Sequence, residues 1–194
     1  MRVRVDGKQF AVGDDRFLFR GVTYGTFAPR DVDGARFPDP DQVKRDLSAM
    51  AENGFTVVRT YTAPPDDLLD LASEFDLKVL AGAFWPDWRY LVGSSRSEVR
   101  RVTREARAEV EAQARRLAGR DEVLAVSLGN EVPADVLRWY GTDRVAHALD
   151  ELVDVVRSVD DELLVTYANY PTAEYLPLAG MDFLTFNVFL ERAH

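Results

Sequence analysis

The sequence predicts an α/β fold built on a parallel sheet, because short apolar strands alternate with amphipathic helices along nearly its whole length. Two further features support this. The strands read as continuous apolar runs, as expected where both faces of a sheet are covered. Polar and aromatic residues gather where those runs end, which is where parallel α/β folds bind ligands. No shift in composition marks a second domain, so residues 1–194 are read as one unit.

The opening stretch Val3-Arg4-Val5-Asp6-Gly7-Lys8-Gln9-Phe10 alternates and turns at Asp6-Gly7, which signals a hairpin. Residues 17–24 are read as the first strand of the main sheet. A loop rich in Gly, Pro and Asp follows over 25–38. Asp39-Pro40 then sets a capping side chain before a proline suited to the first helical position. Val43, Leu47, Met50 and Ala51 share a helical face that ends at Asn53-Gly54. A β-branched strand over 56–61, a helix marked by Leu68, Leu71, Ala72 and Phe75, and a strand over 78–84 come next. Ser95 and Glu98 open a long helix that stops near Gly119. The most apolar strand, 123–131, ends abruptly in Asn130-Glu131. A helix carrying Val145, Leu149, Leu152, Val153 and Val156 leads to strands at 163–167 and 183–188. Periodicity of this kind fits an open doubly wound sheet as well as a closed barrel.

Charge and composition narrow the chemistry. With 24 basic against 33 acidic residues, the net charge is −9, which opposes binding to nucleic acid or to an anionic membrane surface. There is no cysteine and there are two histidines, so neither a thiolate nor a histidine metal cluster is expected. No cofactor is expected, since no glycine-rich phosphate loop accompanies a strand–helix junction. No apolar leader opens the chain and no run is long enough to span a bilayer, so a cytoplasmic protein is expected.

The strand-end residues are Tyr24, Arg59, Tyr61, Trp85, Asp87, Trp88, Asn130, Glu131, Asn169, Tyr170, Asn187 and Glu191. Aromatic faces beside amides, a guanidinium and carboxyls suit a sugar, with its apolar C–H face and hydroxylated rim. Several also have a plainer reading, and Glu131 could be a solvated strand end or a cap for the next helix. Arg59 could sit in a salt bridge, Asn187 could be a bonded core amide, and Trp85 and Trp88 could anchor loops. Asp87, Glu174 and Glu191 read as exposed charges, and His147 as an ordinary helix residue.

Three segments carry a resemblance: Val57-Val58-Arg59-Thr60-Tyr61, Lys78-Val79-Leu80-Ala81-Gly82 and Ser127-Leu128-Gly129-Asn130-Glu131-Val132. With Phe19–Tyr24 and Phe186-Asn187-Val188 they resemble clan A of the glycoside hydrolases, in particular β-1,3-glucanase-like and β-galactosidase/β-glucuronidase-like barrels. The resemblance implies a (β/α)8 TIM barrel, present here as the first six β/α units plus an N-terminal hairpin, since a full barrel takes about 250 residues. It implies Glu131 as catalytic acid/base, Asn130 as partner of the sugar 2-hydroxyl, and Arg59 as the residue orienting a nucleophilic carboxylate. Trp85, Tyr61 and Asn187 would complete the carbohydrate-binding set. The nucleophile itself would lie beyond residue 194, so this segment alone is expected to be inactive and to self-associate along its open barrel edges. A non-catalytic carbohydrate-binding barrel is the alternative, and an unrelated α/β enzyme a more distant one.

Overall fold

The computed structural model describes residues 1–30, 34–83 and 86–188. Phe84, Trp85 and Glu191 lie outside the described residues.

The chain begins with an antiparallel meander of β1 (Val3–Asp6), β2 (Gln9–Val12) and β3 (Asp15–Phe17). Asp6 pairs with Gln9 and Val12 with Asp15, which leaves Gly7-Lys8 and Gly13-Asp14 as two-residue turns. Both turn glycines have positive φ, +62° and +57°, a conformation that side chains resist. The second turn corrects the sequence reading of residues 17–24. It folds Asp15–Phe17 back onto β2, so the first strand of the main sheet is only β4 (Gly21–Thr23).

Five further strands follow in order: β5 (Val57–Arg59), β6 (Lys78–Gly82), β7 (Val123–Asn130), β8 (Val165–Asn169) and β9 (Thr185–Phe186). With β4 they form one sheet in strict chain order, every pair parallel. A doubly wound sheet reverses its strand order at a switch point. This one does not reverse, and it is the curled, incomplete wall of a (β/α)8 barrel. Edge strands β4 and β9 each pair on one side only. Leu18, Phe19, Leu184, Phe186 and Val188 lie in or beside them and are exposed.

The helices α1 (Pro40–Glu52) and α3 (Arg96–Leu117) begin and end where the sequence signals them, and α2 (Asp66–Glu74) and α5 (Thr142–Val159) fall where their apolar residues predict a helix. Asp39 accepts a hydrogen bond from the Gln42 amide at 3.0 Å, and Ser95 from the Glu98 amide at 3.2 Å, each satisfying a donor that a helix start leaves open. Gly54 (φ +77°) ends the segment after α1 and Gly119 (φ +76°) the segment after α3. Along α5, Val145, Leu149, Leu152, Val153 and Val156 are buried against the sheet, each fully buried side chain contributing about 1.5–3 kcal/mol. No helix among the described residues is long and apolar enough to cross a membrane.

Two departures from the strand–helix rhythm occur. A short helix, α4 (Ala134–Tyr140), precedes α5, and its seven residues are too few to show a period. Between β8 and β9 there is no α-helix, only a 3-10 turn over Pro171–Ala173.

The core has two compartments. The larger lies between sheet and helices and includes Val58, Val79, Ala81, Leu128, Val165 and Tyr167. The smaller fills the bottom of the barrel wall, where Val57, Leu80, Leu124 and Ala125 meet Val3 of the meander, with Phe10, Phe17, Leu164 and Phe183 packed around them. Arg2 ties the meander to the end of α5 by two hydrogen bonds to Asp160, at 3.0 and 2.5 Å. The N-terminal strands therefore form the floor beneath the barrel, opposite its mouth.

Candidate active site

The mouth is set by how three strands end. Alternation along β5 sends Val57 into the floor and Val58 toward the helices, so Arg59 emerges at the top on the inner side. Strand β6 finishes at Gly82, and a side chain there has no room. A Cβ at that position would lie 2.5 Å from the carbonyl oxygens of both Thr60 and Tyr61. The bare backbone is held instead by the Thr60 hydroxyl, which accepts from the Gly82 amide, and by buried Gln113, which donates to its carbonyl. The loop after β5 is thereby drawn tightly across the end of β6.

Strand β7 breaks its register with β8 between Ser127 and Asn130. Gly129 has φ +90° and Glu131 has φ +42°, left-handed values that a non-glycine residue adopts at a cost. The Glu131 amide donates to the Ala168 carbonyl at 2.9 Å, and the Val132 amide donates to the Tyr167 hydroxyl at 2.7 Å. This irregular strand end is what turns the two polar side chains of Asn130 and Glu131 toward the mouth.

Four of the residues singled out in the sequence meet there in one network. Arg59 donates from Nη2 to Asn130 Oδ1 at 2.8 Å and from Nη1 to Asn187 Oδ1 at 3.0 Å. Asn187 donates from Nδ2 to Asn130 Oδ1 at 2.9 Å and to Glu131 Oε1 at 2.7 Å. Asn130 thus uses its carbonyl oxygen twice, and Asn187 uses both ends of its amide. The Arg59 guanidinium also lies 4.9 Å from the centre of the Tyr61 ring, within cation–π range. Among the described residues Arg59 has amide partners and no carboxylate, so the salt-bridge reading of this residue is set aside.

Beside the network opens a cleft of about 1130 Å³, bounded by Tyr61, Asp87, Asn130, Glu131 and Phe37 among others. Arg59 and Asn187 do not line it and reach it through their hydrogen bonds to Asn130 and Glu131. Trp85 lies outside the described residues.

Other strand-end residues are taken up by the scaffold. Tyr24 is 5% exposed and donates to Asp46 at 2.7 Å; burial, reinforced by that carboxylate, pushes its pKa well above the usual phenol range. Asn169 is buried and donates to the Ala173 carbonyl while accepting from the Tyr170 amide. Trp88 is buried with its ring edge-on to Tyr140, the loop-anchor role. Asp87 caps the following 3-10 turn and pairs with Arg89, whose hydrogen bond holds its carboxyl below the usual range. His147 is exposed on α5, 3.5 Å from Glu151. Tyr167 drew no attention in the sequence, because a tyrosine inside an apolar strand reads as core.

The fold agrees with what comparison with known proteins returns. The profile described as "Glycosyl hydrolases family 2, TIM barrel domain" matches residues 3–189. Among solved structures, a β-glucuronidase of Bacteroides uniformis is similar at 16% identity with a TM-score of 0.73, over 96% of this chain and 23% of that one. A β-glucuronidase of Ruminococcus gnavus in complex with an N1-substituted uronic isofagomine gives 19% and 0.74, over 96% and 30%. A glycosyl hydrolase family 2 member of Bacteroides cellulosilyticus gives 16% and 0.70, over 96% and 24%. The chain thus spans well under half of each of these structures. No curated protein sequence matches it. The profile narrows the resemblance drawn from the motifs, and gives no particular support to the β-1,3-glucanase likeness. The chain belongs to family 2 of the glycosyl hydrolases, as its TIM-barrel domain.

Proposed function

We propose that this domain supplies the acid/base half of a retaining glycosidase, with Glu131 protonating the departing glycosidic oxygen and then deprotonating the attacking water. The observation that carries the reading is the network at the mouth. Glu131 presents its carboxyl group at the cleft, oriented by Asn187, and Asn130 stands next to it with its carbonyl oxygen already engaged. The Asn130 amide nitrogen is left to meet a sugar hydroxyl. Tyr61, 40% exposed, offers an aromatic face at the same cleft.

Retaining chemistry needs a second carboxyl group about 5–5.5 Å from the first. We assign it to a strand following residue 194. Arg59 favours this assignment, because its charge is met only by neutral amides within the described network and is free to orient an arriving carboxylate. The glucuronidase likeness suggests a glycoside carrying a sugar acid. The reading of the cleft itself commits only to a carbohydrate.

The test is Glu131→Gln in the full-length protein. Turnover of unactivated glycosides should fall about 10²–10⁴-fold, with carbohydrate binding retained. Unchanged turnover would remove Glu131 from the mechanism. Binding without turnover in the unaltered protein would assign the barrel to carbohydrate recognition alone.

A further inference from the structure

We infer that Tyr167 is a positioning residue for Glu131, its phenol oxygen fixing the backbone turn that aims the carboxyl group into the cleft. The inference rests on the acid/base reading of Glu131 and extends it to a residue that never touches substrate. Tyr167 is fully buried and belongs to the core compartment between sheet and helices, with Val165 of the same strand. Its ring therefore lies behind the barrel wall.

The turn from Gly129 to Pro133 has few means of holding its shape. Glu131 sits at φ +42°, a conformation that persists only where surrounding contacts impose it. Pro133 has no amide hydrogen, and α4, which follows, starts without a side-chain cap. Two amides remain between Asn130 and the helix, and β8 satisfies both. The Glu131 amide goes to the Ala168 carbonyl, an ordinary sheet contact. The Val132 amide is buried and has moved off the ladder, and it donates to the Tyr167 hydroxyl at 2.7 Å. A phenylalanine would fill the same volume and leave that amide unpaired. The hydroxyl stays neutral across the working range, since burial, with the nearby Glu131 charge adding to it, raises its pKa.

Loss of the hydroxyl should let the turn relax and move the carboxyl group from its productive position, where misplacement by about 1 Å costs on the order of 10²-fold in rate. A defect in acid delivery has a signature in kcat/KM, which reports the glycosylation step and not the later base-assisted hydrolysis that all substrates share. It is large for a glycoside with a poor leaving group, and small for an activated aryl glycoside that departs without protonation. The experiment compares Tyr167→Phe, Glu131→Gln, the double variant and Thr166→Val in the full-length protein, using one substrate of each kind. Thr166→Val is the control for a lost buried hydrogen bond on the same strand, since the Thr166 hydroxyl donates to the Phe183 carbonyl, away from the turn.

Tyr167→Phe is expected to lower kcat/KM on the poor substrate by about 10- to 100-fold, with little change in kcat/KM on the activated one. In the Glu131→Gln background it should add nothing. Thr166→Val should leave the ratio between substrates unaltered. Equal loss on both substrates, a ratio matching Thr166→Val, or full additivity with Glu131→Gln would overturn the role of Tyr167 while leaving Glu131 in place. If Glu131→Gln itself shows no dependence on the leaving group, the acid/base assignment falls and takes this inference with it. Hydrogen exchange of the unaltered protein gives a check independent of any variant: the Val132 amide should be among the protected ones, and rapid exchange there would overturn the proposal.

Discussion

Strand β5 crosses the barrel wall in three residues, and its two ends answer to different physics. Val57 packs onto the floor made by the N-terminal meander, where Val3, Leu80 and Leu124 surround it and no polar partner is required. Two positions on, Arg59 stands at the mouth and is placed by hydrogen bonds to two amides from distant strands. The floor is held by area removed from water, which is indifferent to direction and tolerant of volume-conserving exchange. The mouth is held by directed bonds among groups that each depend on the others. Stability should therefore reside at the bottom and rate at the top, as expected for barrels of this kind.

The strongest challenge to that division is Leu124→Ala. Leu124 is 1% exposed in the floor, and its truncation should cost about 2–5 kcal/mol of stability, read by urea unfolding. The folded fraction should keep its catalytic constants. A lowered kcat in that fraction would mean that floor and mouth are mechanically coupled. Asn187→Ala makes the converse comparison. It removes the link between Asn130 and Glu131 and should reduce kcat/KM of the full-length protein by about 10- to 100-fold, equivalent to roughly 1.4–2.7 kcal/mol. The melting temperature should barely move, because the side chain is only partly buried.

The smallest expected effect concerns the tether of the floor. Asp160 has its pKa lowered to about 2, first by the hydrogen bond from Arg2, with the Gly119 and Glu162 amides assisting. A carboxyl group whose folded value lies below its unfolded value of 3.8 stabilises the fold above pH 3.8, and that contribution is lost as pH falls through about 2. Arg2→Met should thus cost roughly 1–2 kcal/mol near neutrality. Unfolding curves of the two proteins should converge between pH 4 and pH 2. A constant gap down to pH 2 would show that Arg2 acts through packing instead.

Much of this architecture was legible because burial and capping leave marks on sequence. Asp39-Pro40, Ser95 with Glu98, and the apolar face of α5 each announce a helix through the same contacts that stabilise it. Glu131 and Arg59 stood out because polar residues ended apolar strands. What escaped notice depends on contacts between segments remote in sequence or too short for a period. Phe17 reads as the start of the first barrel strand because its pairing with β2 depends on a turn that alternation does not reveal. Helix α4 is shorter than two full periods. Tyr24 and Asn169 sit at strand ends like true site residues, and only their partners Asp46 and Ala173 show them to be scaffold. Tyr167 is the reverse case, since its hydroxyl matters through a backbone amide thirty-five positions away.

The absence of a side chain at Gly82 has an effect on what this cleft can become. The segment bearing Tyr61 rests against naked main chain, so the distance between the aromatic wall and the carboxyl group is limited by atoms that no substitution of a neighbour can shrink. Variation in what the cleft accepts must therefore come from loops above the mouth, while any residue larger than glycine at position 82 would push Thr60 and Tyr61 outward and carry Arg59, on the same strand, along with them.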